Sequence, residues 1–230
     1  MNISENLLKI KNKLPKNVTL VAVSKTKPSN DILEAYATGH LIFGENKIQE
    51  MVGKHEELPK DIEWHMIGHI QRNKVKYMAP FVSLIHAVDS LRLLKEINKQ
   101  ALKNNRVINC LLQIKIASEE TKFGLTETEV SELLASEEFK SFQNIKIEGL
   151  MGMATFTDDQ EQLQKEFGLL KNIYDNVCKL NTANCQLKTL SMGMSDDYPI
   201  ALENGSNMIR VGSSIFGKRA CSIDFNKTVD

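Results

Sequence analysis

The sequence lacks several features that would each define a class of protein. Its 29 basic and 29 acidic side chains cancel to a formal net charge of zero. It therefore has no electrostatic footprint for nucleic acid or an anionic membrane surface. No apolar run is long enough to span a bilayer, and the polar start Met1-Asn2-Ile3-Ser4-Glu5-Asn6 does not read as a signal peptide. The four cysteines, Cys110, Cys178, Cys185 and Cys221, include no C-x-x-C pair. They read as reduced thiols of a cytoplasmic protein, two of them packed in a core, and not as disulfides or metal ligands. Aromatic residues are 6% and hydrophobic residues 42% of the chain, ordinary for an α/β protein. No proline- or glycine-rich linker and no low-complexity tract interrupts it. No spacing suggests a serine–histidine–aspartate or cysteine–histidine arrangement.

What is present is an alternation of strand-like and helix-like segments. Strand patterns fall at Val18–Val23, Leu41–Gly44, Ile62–Gly68, Val82–Val88, Val107–Ile116, Ile145–Met151, Leu187–Leu190 and Met208–Val211. Helical spacing falls between them, with Ser29 as a cap, Glu45 opening one helix, Thr126 beginning another and Gln160–Leu180 the longest. A further amphipathic helix over residues 3–13 is expected to lie outside the main core. About eight strand–helix units in one unbroken series predict parallel strands closed into a (β/α)8 barrel. A doubly wound open sheet is the alternative, but it usually carries G-x-G-x-x-G after its first strand, and none is present. One domain over residues 1–220 with a loose tail over 221–230 follows.

In such barrels chemistry sits at the carboxyl ends of the strands. The first strand, Val18-Thr19-Leu20-Val21-Ala22-Val23-Ser24, delivers Lys25 there. Burial disfavours an ammonium, and a neutral amine is what an aldehyde needs to form a Schiff base. A lysine that simply reaches solvent is the plain alternative. Ser191-Met192-Gly193-Met194-Ser195-Asp196-Asp197 and Arg210-Val211-Gly212-Ser213-Ser214 are glycine-and-serine turns after the last two strands. That is where barrels commonly bind phosphate, although Ser195 or Asp196 serves equally as a helix cap. Arg210, on a strand, must find partners because its charge cannot be removed. Either it pairs with Asp196, Glu148 or Glu203, or it donates to a ligand. His65 and His69 lie too far apart on a strand to share one metal ion, and no H-E-x-x-H glutamate accompanies them. His69, beyond the strand end, remains free to meet a ligand.

Six stretches, in order, resemble one family. They are Val21–Thr26, Phe43–Asn46, Trp64–Lys74, Gly149–Met151, Ser191–Asp197 and Arg210–Gly217. The sequence is similar to the YggS/PROSC group of pyridoxal phosphate homeostasis proteins, whose fold is like the barrel domain of alanine racemase. The likeness covers roughly residues 5 to 219. It implies pyridoxal 5′-phosphate as cofactor, held as an internal aldimine on Lys25. It implies that Ser195, Gly212 and Ser213 hold the phosphate and that Arg210 faces the pyridine nitrogen. Asn46, Met192 and His69 would line the pocket. One departure is Lys115, where the family tends to have asparagine after Gln113-Ile114. Lys122, in a strand-end loop, reads as either a secondary docking point or an exposed lysine.

The resemblance implies a carrier that buffers or delivers the cofactor with little catalysis. An arginine at the ring nitrogen leaves that nitrogen unprotonated and makes the ring a poor electron sink. The alternative is a racemase of low activity, which needs an acid/base on each face of the substrate carbon. The family's racemase relatives supply the second base from an added domain, and Tyr198 or His69 would have to replace it here. A third reading is a sugar-phosphate enzyme whose Lys25 forms a Schiff base with substrate. Apo-enzymes that use the cofactor are the expected partners of the carrier, as a monomer or weak homodimer.

Overall fold

The apolar, β-branched runs form eight parallel strands because each is followed by a helix that returns the chain to the same end of the sheet. The computed structural model describes residues 2–117, 123–180 and 184–217. Strands β1 Thr19–Val23, β2 Ile42–Glu45, β3 Glu63–Met66, β4 Leu84–Val88, β5 Ile108–Ile114, β6 Ile145–Gly152, β7 Cys185–Ser191 and β8 Met208–Val211 close into a barrel in sequence order. The helices are α1 Ile3–Lys11, α2 Ser29–Tyr36, α3 Ile48–Glu57, α4 Val75–Met78, α5 Leu91–Lys103, α6 Glu127–Ala135, α7 Glu137–Lys140, α8 Gln160–Val177, α9 Tyr198–Glu203 and α10 Ser213–Phe216. The barrel of the sequence reading is the fold observed, and the open sheet is not. Cys221, Lys122 and the tail over 221–230 lie outside the described residues.

Closure joins the first strand to the last, with Thr19 opposite Met208, Val21 opposite Arg210 and Ala22 opposite Val211. Side chains alternate across the sheet. Leu20, Ala22, Phe43, Trp64, Met66 and Ile85 pack outward in the large core shared with the helices. Val21, Leu84, Leu111, Met151 and Met208 form a separate, smaller cluster inside the barrel.

Three local expectations change. Helix α1 is not peripheral: Leu7 is fully buried in the main core, and Asn6 Nδ2 donates to the Ile215 carbonyl. Helix α10 has only four residues. It cannot cover its side of the barrel alone, and α1 lies against it. Ser29 is the first residue of α2 and not its cap, which is Pro28. Glu45 ends β2 and does not open a helix; α3 starts three residues later. Thr126, in contrast, forms a full capping box with Glu129.

His40, His65 and His86 are buried. Burial, which disfavours the imidazolium, pulls His40 down to about 4 and His65 to about 3, and it takes His86 well below 6.5. The unfolded chain therefore binds protons first, so stability present above pH 6.5 is lost as the pH falls toward 4. Each of His40 and His65 should cost about 2 kcal/mol by pH 5. Urea unfolding midpoints at pH 7 and pH 5 measure this, and an unchanged midpoint would contradict it.

Candidate functional site

At the carboxyl ends of the strands lies a cavity of about 620 Å3. Among its lining residues are Lys25, Asn46, His69, Ser195, Arg210, Gly212 and Ser213. Of the eight residues that the family resemblance assigns to the cofactor, these seven meet there. Met192 does not: it is fully buried in the outer core. The alternation that turns Ser191 inward turns the next residue of the chain outward, toward the helices.

Lys25 is half-buried in the turn that follows β1. The turn is closed by Lys27 N–H donating to the Ser24 carbonyl at 3.0 Å, and it leaves Lys25 lining the cavity. Strand closure brings β8 alongside. The Gly212 backbone runs so close to Val23 that a Cβ there would sit 3.1 Å from the Val23 carbonyl oxygen. Lys25 and the turn after β8, at opposite ends of the sequence, thereby become neighbours across one seam.

The two glycine-and-serine turns are themselves joined. Gly212 N–H points at Ser195 Oγ at 3.4 Å, and Arg210 N–H donates to the Gly193 carbonyl at 2.9 Å. Gly193 takes φ +98°, a conformation that side-chain-bearing residues seldom adopt. Asp197 Oδ1 accepts from Met194 N–H at 2.5 Å, fixing the first turn; the N-cap position of α9 is Asp197, without a side-chain cap bond, and neither Ser195 nor Asp196. Ser213 and Ser214 open α10, where first-turn N–H groups have no intrahelical acceptor. A serine hydroxyl beside such amides suits an anion with several oxygens. On the far wall, Gly68 allows β3 to approach Asn46, because a Cβ there would collide with the Asn46 carbonyl oxygen.

Arg210 is 4% exposed. It pairs with none of Asp196, Glu148 and Glu203 among the described residues. It donates through Nη1 to Ser191 Oγ at 2.7 Å and through Nη2 to the Gly152 carbonyl at 3.0 Å. Burial lowers its pKa to about 10, partly opposed by Asp197, so it stays charged near neutral pH. Behind it runs a buried chain of polar groups. His86 Nδ1 lies 3.1 Å from Ser191 Oγ, and His86 Nε2 lies 3.0 Å from His65 Nδ1. His65 borders a second cavity, of about 400 Å3, which it shares with Thr19 and Asn207 from the amino ends of β1 and β8.

His69 sits at the rim, its ring stacked on Phe123 at 4.7 Å and its Nδ1 3.4 Å from Asp89 Oδ2. Lys115 is exposed and contributes its backbone N–H to the Leu125 carbonyl, so its side chain does not shape the cavity. The sequence reading passed over Lys27, Gln113 and Phe156, which also line the cavity. Lys27 shared the signal of Lys25, two positions away, and its Nζ donates to the Phe216 carbonyl at 2.7 Å. Gln113, at the end of β5, donates to the Phe123 carbonyl. No group of three or more potential metal ligands occurs among the described residues.

A barrel that places a lysine just beyond its first strand and joined glycine-and-serine turns after its last two is of the kind described as "Alanine racemase, N-terminal domain", and that family's model matches residues 1–220. Within it, the chain belongs to the pyridoxal phosphate homeostasis proteins. It is 39% identical over 201 residues to the pyridoxal phosphate homeostasis protein of Aquifex aeolicus, covering 87% of this chain and 86% of that one. To the Haemophilus influenzae protein of the same name it is 35% identical over 240 residues, covering 99% and 100%. PipY of Synechococcus elongatus PCC7942, solved with PLP bound, superposes with a TM-score of 0.85 at 33% identity, covering 94% of this chain and all of that one.

Replacing Ser191 by alanine removes a buried partner from both Arg210 and His86. The folded state should lose about 2 to 3 kcal/mol, because a buried charged donor is left unmatched. Urea denaturation of the variant measures the loss, and a change under about 0.5 kcal/mol would show that the hydroxyl is dispensable.

Proposed function

We propose that this protein binds pyridoxal 5′-phosphate and holds it for buffering or delivery to enzymes that need it. The observation that carries this is the closed seam between β1 and β8, which sets Lys25 beside the Ser195–Gly212–Ser213 cradle in one cavity. The relatives' names and the PLP-bound PipY structure support it. Its aldehyde gives the Lys25 amine a carbon to condense with, a C=N bond replacing C=O as water leaves.

The residues divide the work by chemistry. Ser195 Oγ and the Gly212 and Ser213 amides would take the phosphate at one end of the cavity. Lys25 would take the aldehyde. Arg210, which has only donors and keeps its proton, would donate to the ring nitrogen. Two of its N–H groups are already committed to Ser191 and Gly152, which fixes the plane of the guanidinium. A ring nitrogen that accepts from arginine carries no proton of its own, and the ring then draws electrons weakly. Asn46 and His69 bound the remaining sides.

This arrangement favours retention over racemisation. Racemisation needs a second acid/base opposite the lysine. None of Tyr36, Tyr77, Tyr174 and Tyr198 lines the cavity, and His69 is at its rim. We place the protein in the cytoplasm, where free thiols persist and apo-enzymes are available, and as a monomer or weak homodimer. Among the described residues no helix is long and apolar enough to cross a membrane.

Borohydride reduction of the protein incubated with pyridoxal 5′-phosphate, followed by peptide mapping, should place the label on Lys25. The Lys25→Ala variant should lose the visible colour and the label. A label on another lysine would overturn the assignment. Incubation with L-alanine in deuterated water should give no exchange of the α-proton, whereas rapid exchange would favour the racemase.

A further inference from the structure

The cavity leaves three charged side chains unexplained, all on the outer side of the sheet next to Lys25. Glu45, fully buried at the end of β2, alternates with inward-facing Gly44 and points toward α3. Its Oε1 accepts from Ser24 Oγ at 2.5 Å and from Lys54 Nζ at 2.8 Å, while its Oε2 is buried without a hydrogen-bond partner. Lys54 Nζ also donates to the Ser24 carbonyl at 2.8 Å and to Glu50 Oε1 at 2.7 Å. Glu50 Oε1 in turn accepts from Thr26 N–H at 2.5 Å. None of the three side chains lines the cavity.

Stability alone is a poor reason for this cluster. Removing charges from water offsets most of what their pairing gains, and well-packed apolar residues often do as well. Burial indeed raises the Glu45 pKa against the pull of Lys54. What the cluster does hold is the backbone on both sides of Lys25. Ser24 is gripped at its carbonyl and its hydroxyl, and Thr26 at its N–H. Thr26 has φ +63°, and the only other non-glycine residue with positive φ among the described residues is Asn105. A β-branched residue is strained in that region and persists there only where its surroundings impose it. Released, Thr26 would relax, and the lysine before it would swing off its line.

We propose that Glu45, Lys54 and Glu50 are positioning residues that hold Ser24–Thr26 in this conformation and so aim the Lys25 amine into the cavity. The proposal rests on Lys25 being the residue that captures pyridoxal 5′-phosphate. The three side chains act from behind the strand and touch neither the phosphate cradle nor Arg210. Aim and affinity therefore separate: the amine's rate of capture depends on the cluster, and binding of the phosphate end does not.

The test uses the full chain, with pyridoxal 5′-phosphate as the reactive probe and pyridoxine 5′-phosphate, which has an alcohol in place of the aldehyde, as the unreactive one. Glu50→Leu and Lys54→Met should slow the appearance of the visible imine band about tenfold or more, the scale expected when a reacting group is misplaced. Affinity for pyridoxine 5′-phosphate should stay at the parent value. Glu50→Gln, whose amide oxygen still accepts from Thr26, should capture at close to the parent rate. Thr26→Gly placed in the Glu50→Leu background should recover most of the lost rate, since glycine adopts the positive φ unaided. Circular dichroism checks that each variant folds, and the partly exposed Glu50 keeps the test intact if Lys54→Met does not. Capture by Glu50→Leu at the parent rate would overturn the proposal. So would an equal loss of rate and pyridoxine 5′-phosphate affinity, which would mark a purely structural role. Labelling of a lysine other than Lys25 in the parent protein would instead overturn the assignment on which the proposal rests.

Discussion

The pairing of β1 with β8 is the constraint on which the rest depends. Thr19 N–H donates to the Asn207 carbonyl at 2.8 Å, and the register carries Val21 to Arg210 and Ala22 to Val211. Without that seam the lysine turn and the second glycine-and-serine turn are simply the two ends of a chain. Contacts this distant in sequence carry a loop-closure cost that the packing along the seam must offset. Helix α1 reinforces the seam from outside, with Leu7 buried and Ile3 and Ser4 N–H groups donating to Glu34 Oε1.

Charge inside the barrel sets a second constraint. A guanidinium cannot shed its proton at ordinary pH, so every N–H that Arg210 buries must meet an acceptor. The sequence offers carboxylates nearby, but the fold supplies a hydroxyl and a carbonyl. Neutral acceptors leave the positive charge uncompensated in direct contact and available to a ligand. The charged cluster of Glu45, Lys54 and Glu50 lies on the other face of the sheet, away from Arg210. Interior and exterior polar groups thus lie on opposite faces of the barrel wall, Arg210 on β8 inside and the cluster beside the Ser24–Thr26 turn outside.

Much of this was legible in the sequence because the signals were periodic. Eight apolar runs with helical spacing between them forced parallel strands, and the lysine and the serine–glycine turns fell at the ends where barrels bind ligands. Elements misread were those where local chemistry has two outcomes. Glu45 looks like the first residue of a helix, since acidic residues favour that position, yet β2 runs one residue further because Lys54 neutralises it from α3. Ser29 follows a proline, and the proline takes the cap. Met192 falls in a motif otherwise rich in cavity residues, but strand alternation was enough to exclude it. Lys27 and Gln113 lacked a spacing of their own, and only the closed barrel reveals that they share the cavity with Lys25.

The file of groups behind Arg210 carries a consequence of its own. Both imidazoles are held neutral by burial, and so each offers one hydrogen and one lone pair. If His86 gives its hydrogen to His65, its other nitrogen must receive from Ser191; if it receives from His65, it must give to Ser191. Neither ring can reverse alone without setting two hydrogens or two lone pairs face to face. Serine and histidines therefore turn over as one ordered unit, and the orientation at the lower mouth is the same fact as the orientation beneath the arginine.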